Sequence, residues 1–311
     1  MGVFVFLPLV LPLTAWPVAR LAESRLHPRV ATLLLSGVAG VLGLCSILCL
    51  ALLAIVGTAQ LPGNPLPDGW SDPEVRSAVP HDEVVGKTAV GALAAAATAC
   101  TALLLRHYRV RRATVRALRG LPGTQVAVLD DDLPYAHTLP GGRAARILVS
   151  TGMLAGLDSR ERRVLFAHER AHLTGRHHRF LLLAGLAARA NPFLRPLRTT
   201  VAYTVERWAD EEAARAVGDR RLTARAVAKA ALVSRPAPTP TMAAVGGEPG
   251  PVPRRVAALL GPAPVARTWP PTFTTVGMAV WTAAAGAALS AMSSANSAVT
   301  MFLILKTATP L

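Results

Sequence analysis

The sequence predicts an α-helical integral membrane protein, with about four transmembrane helices and a mainly helical α+β cytoplasmic domain between the third and fourth. Three observations carry this. The 311 residues are 52% apolar and only 16% charged, with a mean hydropathy of +0.39, a balance ordinary for a multi-span protein and unusual for a soluble domain. Four segments supply the roughly 20 apolar residues that a hydrocarbon core demands. The net charge of +15 is distributed unevenly about those segments.

The first segment runs from about Gly2 to Ala19. No Lys or Arg precedes its apolar run, so it reads as a span and not as a signal peptide. Its prolines, Pro8, Pro12 and Pro17, predict a kinked helix. The second covers Val30–Gly57, the third about Val84–Leu105, and the fourth lies within Thr275–Leu305. Small-residue spacings, Ser36/Gly40 and Gly91/Ala95, read as helix-packing contacts. Cys45, Cys49 and Cys100 all fall in apolar runs and read as small packed residues, with no disulfide or thiolate-metal framework.

Orientation follows from arginine. The turn after the first span carries Arg20, Arg25 and Arg29, and the run leaving the third span, Arg106–Arg119, carries six arginines. The loop 58–83 carries Arg76 alone among five acidic residues. Positively charged loops stay inside. The expected topology is therefore an N-terminus outside, an extracytoplasmic loop 58–83, and a cytoplasmic domain over 106–270. The fourth helix and a short tail fill 271–311. The arginine run lacks interleaved aromatics and a reader fold, so the lipid bilayer, and no nucleic acid, is the expected charged partner. The spans contain no Asp or Glu, which argues against an ion-coupled transporter.

Within the domain, "TQVAVLDD" and "ARILVSTGML" read as strands. "LDSRERRVLFAHERAHLTG" reads as a helix with Asp158 as N-cap, Glu161 completing a capping box, and Gly175 as a stop. A second helix, roughly Arg176–Ala190, is apolar enough to lie against the bilayer. "YTVERWADEEAARAVG" and "RLTARAVAKAALV" form two more, and "RRVAALLG" closes the domain. Ser234–Pro253 is loop by composition and a candidate for self-cleavage or for covering the site.

His168, Glu169 and His172 form H-E-x-x-H inside the first of these helices. The i, i+4 spacing puts both imidazoles on one face, able to grip one Zn2+, with Glu169 placed as general base. A third ligand must come from elsewhere in the chain. Glu206 in "VERWAD" would complete a two-His-plus-Glu set. Asp210, one turn on, would hold the outer N–H of a ligating imidazole. His177 and His178 are candidate contacts to substrate or transition state; a three-histidine site is the alternative use for them. Ile147 and Val149 are candidate substrate contacts, on the idea that a peptide adds as a strand beside "ARILVS".

The segments "LPYAHTLPG", "ILVSTGMLAGLDSRERRVLFAHERAHLTGRHH", "VERWADEEAA" and "RRVAALLG", in this order between a third and a fourth span, resemble the BlaR/MecR family of membrane zinc peptidases. A more distant likeness is to membrane endopeptidases that trim prenylated proteins. The resemblance implies a gluzincin-type zinc metallopeptidase fold and a cytoplasmic active site. It carries His168, His172 and Glu206 over as ligands, Glu169 as base and Asp210 as supporting carboxylate. His137 stands where an apolar or aromatic residue is expected. In the best-known members a penicillin-binding sensor follows the fourth span; here only Lys306–Leu311 follow it, so β-lactam sensing is not expected. The implied partner is a protein or peptide substrate: a cytoplasmic repressor, as in the sensor-bearing members, or the chain itself. The competing function is a non-catalytic membrane regulator that uses the domain to hold a partner, against which stands the presence of Glu169.

The arginine asymmetry makes a direct prediction. A reporter fused after Arg119 should behave as cytoplasmic, and one fused near Asp72 as extracytoplasmic. The reverse pattern would put the metal-binding helix outside the cell.

Overall fold

The computed structural model describes residues 2–117, 125–139, 145–234, 252–264 and 273–308. The first span is a broken helix: α1 (Leu7–Val10) lies between 3-10 turns at Gly2–Phe6 and Leu11–Thr14, and α2 (Ala15–Arg25) follows. The prolines explain the break. Pro12 has no N–H to offer the carbonyl of Pro8, four residues earlier. Ser46 supplies the donor instead, its Oγ lying 3.1 Å from Pro8 O.

Helix α3 (Pro28–Ala59) is the hub of the bundle, with 56% of its most apolar window buried against 17–28% for the other candidate spans. After α4 (Pro73–Ser77) comes α5 (Asp82–Ala117), which continues three turns past the expected end of the third span, carrying the first arginines on helix. Among the described residues, four helices are long and apolar enough to cross a membrane: Phe4–Arg25, Pro28–Ala59, Asp82–Ala113 and Thr275–Thr307.

Strands β1 (Val126–Leu129), β2 (Ala136–Leu139) and β3 (Arg146–Ser150) form one sheet in the order β1-β3-β2, with β1 parallel and β2 antiparallel to β3. Ser150 ends β3 and caps α6 (Thr151–Ala155), its Oγ accepting from Met153 N at 3.1 Å. The turn after Ile147 and Val149 is therefore the first turn of a helix. Then come α7 (Ser159–Thr174), α8 (His177–Ala190), α9 (Arg195–Val217), α10 (Arg220–Val233), α11 (Val252–Leu260) and α12 (Thr275–Thr307). Most of the expected loop Ser234–Pro253 lies outside the described residues; Val252 and Pro253 open α11.

Helix α8, expected to lie against the bilayer, packs within the helix bundle. It enters the bundle alongside α3: Leu183 sits at Gly40, Ala187 at Gly43, and Asn191 at Ser46. The chain then turns through Pro192–Leu194 and returns as α9. One core holds Ala19 of α2, Leu35 and Leu42 of α3, Ala184 and Ala187 of α8, and Leu197, Val201 and Val205 of α9. Asn191 makes the turn tolerable inside apolar surroundings. Its Oδ1 accepts from Phe193 N at 3.0 Å, and its Nδ2 donates to Ser46 Oγ at 3.0 Å and to Leu9 O at 3.3 Å. A buried amide with every group bonded carries no desolvation debt.

Of the two small-residue spacings, Ser36/Gly40 packs, with Ser36 buried and Gly40 against Leu183 of α8, whereas Gly91/Ala95 makes no close approach. An added Cβ at Gly91 meets nothing within 4 Å, and Ala95 is exposed. The backbones of α3 and α5 touch at Gly57 and Gly86 instead, where a Cβ on Gly86 would lie 2.7 Å from Gly57 Cα. Gly57→Ala should therefore push the helices apart and cost about 1–3 kcal/mol. Thermal unfolding in detergent should show the loss for Gly57→Ala and none for Gly91→Ala; equal behaviour would remove the contact from the account.

Candidate metal centre

Helix α7 starts with the expected capping box. Asp158 Oδ1 accepts from Arg160 N and Glu161 N, both at 2.8 Å, and Glu161 Oε2 accepts from Asp158 N at 2.9 Å. Glu161 then reaches across to α10, accepting from Lys229 Nζ at 2.8 Å and Arg225 Nε at 3.2 Å. The cap thus sets both the start of α7 and its seat against a neighbour. Its far end stops at Gly175, where a Cβ would lie 2.3 Å from His177 Nε2. Glycine is needed there to let His177 fold back, and Arg176 takes the left-handed turn at φ 50°.

Three donors converge. His168 Nε2 and His172 Nε2 are 3.1 Å apart. Glu206 on α9 reaches both, Oε2 at 3.5 Å from His168 Nε2 and Oε1 at 3.5 Å from His172 Nε2. Tetrahedral donors bonded to zinc at its usual nitrogen and oxygen distances lie about 3.3 Å from one another. The spacing of this set therefore fits a zinc ion, as does its chemistry of two imidazoles and a carboxylate.

Asp210, fully buried one turn beyond Glu206, lies 3.1 Å from His168 Nδ1. Behind it stands a residue that the sequence reading did not assign. Arg255 of α11 donates through Nε to Asp210 Oδ2 at 2.8 Å and through Nη2 to Asp210 Oδ1 at 2.6 Å. Its Nη1 is 3.0 Å from Glu206 Oε2. A signal for it existed: Arg255 is four residues before Leu259, and both are buried on one face of α11. A cation on the apolar face of a short helix needs a buried anion.

The electrostatics follow. Burial would raise both Glu206 and Asp210, but Arg255 above all, with the imidazoles, holds them below the usual carboxylate range. Burial would lower His168, but Asp210 and Glu206 overcome it and push the imidazole up to about 10. A cation taking the lone pair of His168 must therefore displace a proton. Burial lowers His172 to about 4, helped by its charged neighbour His168. Burial, aided by Glu206, pushes Glu169 up to about 7.

Three of the expected contacts, His177, Ile147 and Val149, are corrected. His177 is 1% exposed, with Nδ1 2.9 Å from His172 Nδ1 and its ring 4.5 Å from that of Trp208. It sits on the outer nitrogen of His172, behind the converging donors, and cannot meet a substrate there. His178 is half-buried on the side of His107 and Arg111 of α5, and burial lowers it to about 4. Ile147 and Val149 are fully buried, and both edges of their strand are filled by β1 and β2. A peptide cannot add beside β3. His137 is half-buried on β2, its ring 5.8 Å from that of Tyr135, and burial lowers its pKa.

The chain is similar to peptidase family M48, whose sequence model matches residues 106–193, from the arginine-rich end of α5 through H-E-x-x-H to the tip of the α8–α9 hairpin. No match was found among curated proteins or among solved structures.

Arg255→Met tests the electrostatic ordering. It leaves two buried carboxylates facing one imidazolium, and losing one partner of a buried ion pair costs about 3–5 kcal/mol. The variant should melt well below the parent in the presence of a chelator, and added zinc should recover more of its melting temperature than it adds to the parent. An unchanged melting temperature in chelator would mean that Arg255 does not balance these carboxylates.

Proposed function

We propose that the protein is a membrane-embedded zinc endopeptidase of BlaR/MecR type, with a gluzincin-type domain cutting a cytoplasmic or membrane-proximal protein. One observation carries this reading: two imidazoles of an H-E-x-x-H helix and the Glu206 carboxylate stand 3.1–3.5 Å apart beside a buried Glu169. The match to peptidase family M48 supports a zinc metallopeptidase. The four long apolar helices support a membrane setting, and the arginine asymmetry supports a cytoplasmic site.

His168, His172 and Glu206 would hold the ion. A zinc ion there supplies Lewis acidity for attack of water on a peptide carbonyl. Glu169 removes the proton of the attacking water and returns it to the departing amine, a task suited to a carboxylate raised to about 7 by burial. Asp210 orients His168 through Nδ1, and His177 does the same for His172, so each imidazole presents Nε2 to the site. Arg255 keeps Glu206 and Asp210 ionised. The substrate lies extended along the outer edge of β2, which carries no partner strand among the described residues and packs against α7. Main-chain pairing there gives affinity without strict sequence demands.

Variants separate ligand from base. Glu169→Gln should keep zinc near one per chain and lose turnover by about a hundredfold to ten-thousandfold. His168→Ala, His172→Ala and Glu206→Ala should lose metal and activity together. Asp210→Ala should weaken metal binding by roughly ten- to a hundredfold. Zinc content by elemental analysis and cleavage of an unfolded protein are the readouts. Retention of zinc by Glu206→Ala would remove it as third ligand, and full activity in Glu169→Gln would remove the peptidase reading.

A further inference from the structure

A cavity of about 720 Å³ lies where the ends of three spans meet the domain. Arg25 lines it from the end of α2, Val30 from the first turn of α3 and Val276 from the first turn of α12. Arg207 of α9 and Arg254 of α11 line it from the domain.

The packing of α9 on α3 fixes its level. With 32 residues, α3 is about 48 Å long, more than the roughly 30 Å of a hydrocarbon core, so its first turn stands among the headgroups. Thr204 of α9 bonds Thr32, one turn into α3, at 2.9 Å. Arg207 is three residues further out along α9. The guanidinium of Arg29, the second residue of α3, lies 5.5 Å from the centre of the neighbouring Trp208 ring. Arg207 therefore stands level with the start of α3.

The charges of the lining are unevenly answered. Arg254 is paired with Glu23, and its guanidinium lies 4.7 Å from the centre of the Tyr203 ring. Arg207 is only 9% exposed. Its Nη2 is 3.0 Å from Glu211 Oε1, but Glu211 also accepts from Nη1 and Nη2 of Arg220, so one carboxylate serves two guanidinium groups. Arg207 Nη1 is buried with no hydrogen-bond partner. Buried donors are almost always bonded, so an orphan on a residue that lines a cavity points to an acceptor from outside the chain. Arg25 is exposed and adds a third cation to a lining whose only described carboxylate is Glu23. The acceptor must therefore be anionic. It must also suit headgroup level, with Val30 and Val276 leading from it along two spans. An acidic peptide would use the arginines alone. A lipid with an anionic head uses the arginines, the level and the valines together.

We propose that this cavity holds the headgroup of an anionic membrane lipid, its phosphate on Arg207 and Arg25 and its chains leaving past Val30 and Val276 into the bilayer. The lipid ties the ends of α2, α3 and α12 to α9 and α11, the helices that carry Glu206, Asp210 and Arg255. Binding needs the long apolar helices to cross a membrane; it does not need the metal centre to be a peptidase.

Native mass spectrometry of the full-length protein tests this, with phosphatidylglycerol and phosphatidylcholine of identical chains. The parent should retain phosphatidylglycerol in preference. Arg25→Gln removes an exposed charge and should lower that preference about fivefold, at about 1 kcal/mol for one arginine. Arg207→Lys keeps a cation for Glu211 but removes Nη1, and should lower the preference about tenfold or more. Retention of phosphatidylcholine should stay unchanged in both and reports an intact bundle; if Arg207→Lys fails to fold, Arg25→Gln decides. Ala258→Leu narrows the cavity without touching a charge and should also lower retention of phosphatidylglycerol. Arg111→Gln with Arg112→Gln, on α5 and outside this lining, should leave the preference intact. The proposal is overturned if the parent shows no preference, or if Arg25→Gln or folded Arg207→Lys keeps it in full. It is also overturned if the Arg111/Arg112 pair loses as much, which would mark general surface attraction, or if Ala258→Leu changes nothing. Displacement of the lipid by millimolar inorganic phosphate would overturn it too, marking a site for the free anion.

Discussion

The buried amide of Asn191 is the tie on which the arrangement depends. A chain that turns inside an apolar bundle exposes backbone and side-chain groups that have no water to bond. Asn191 closes that account at three points, with Phe193 N, Ser46 Oγ and Leu9 O. The proline-broken first span makes this work, since it presents carbonyls that an unbroken helix would have used internally. Ser46 bonds both Pro8 O and the Asn191 amide, so the first span, α3 and the hairpin meet in one polar knot.

Because the hairpin is tied at depth, α9 is a single rigid element serving two regions. Its first half packs with α2 and α3, with Thr204 Oγ1 2.9 Å from Thr32 Oγ1. Its second half carries Glu206 and Asp210. His168 and His172 of α7 are therefore faced by carboxylates whose position is set by bundle packing, not by a loop. A geometry held to a few tenths of an ångström needs this kind of support. The same helix places Trp208 against His177, which holds the outer nitrogen of His172.

Charge alternates through the buried site: Arg255, then Asp210 and Glu206, then His168. Each group is kept in its charged form by the next, and burial strengthens every step. The small helix α11 thus has an electrostatic role out of proportion to its nine residues.

Much of this was legible in the chain. Capping chemistry is local, so Asp158 and Glu161 announced α7, and the four-residue spacing of His168 and His172 announced a shared face. Length and hydropathy announced the spans, because a helix in lipid satisfies its backbone from within. Strand β2 was not legible: "AHTL" is too short to alternate clearly, and only its pairing with β3 makes it a strand. That pairing also buried Ile147 and Val149 and moved the open edge to β2. The insertion of α8, the touching of Gly57 and Gly86, the retreat of His177 behind His172 and the reach of Arg255 to Asp210 all depend on which surfaces meet. Sequence by itself determined the elements and the chemistry they can carry, because propensity, capping and periodicity act within a few residues. Tertiary structure alone decided which groups face one another, because that depends on packing between segments far apart in the chain, 182 residues for Asn191 and Leu9 and 289 for Ser293 and Phe4.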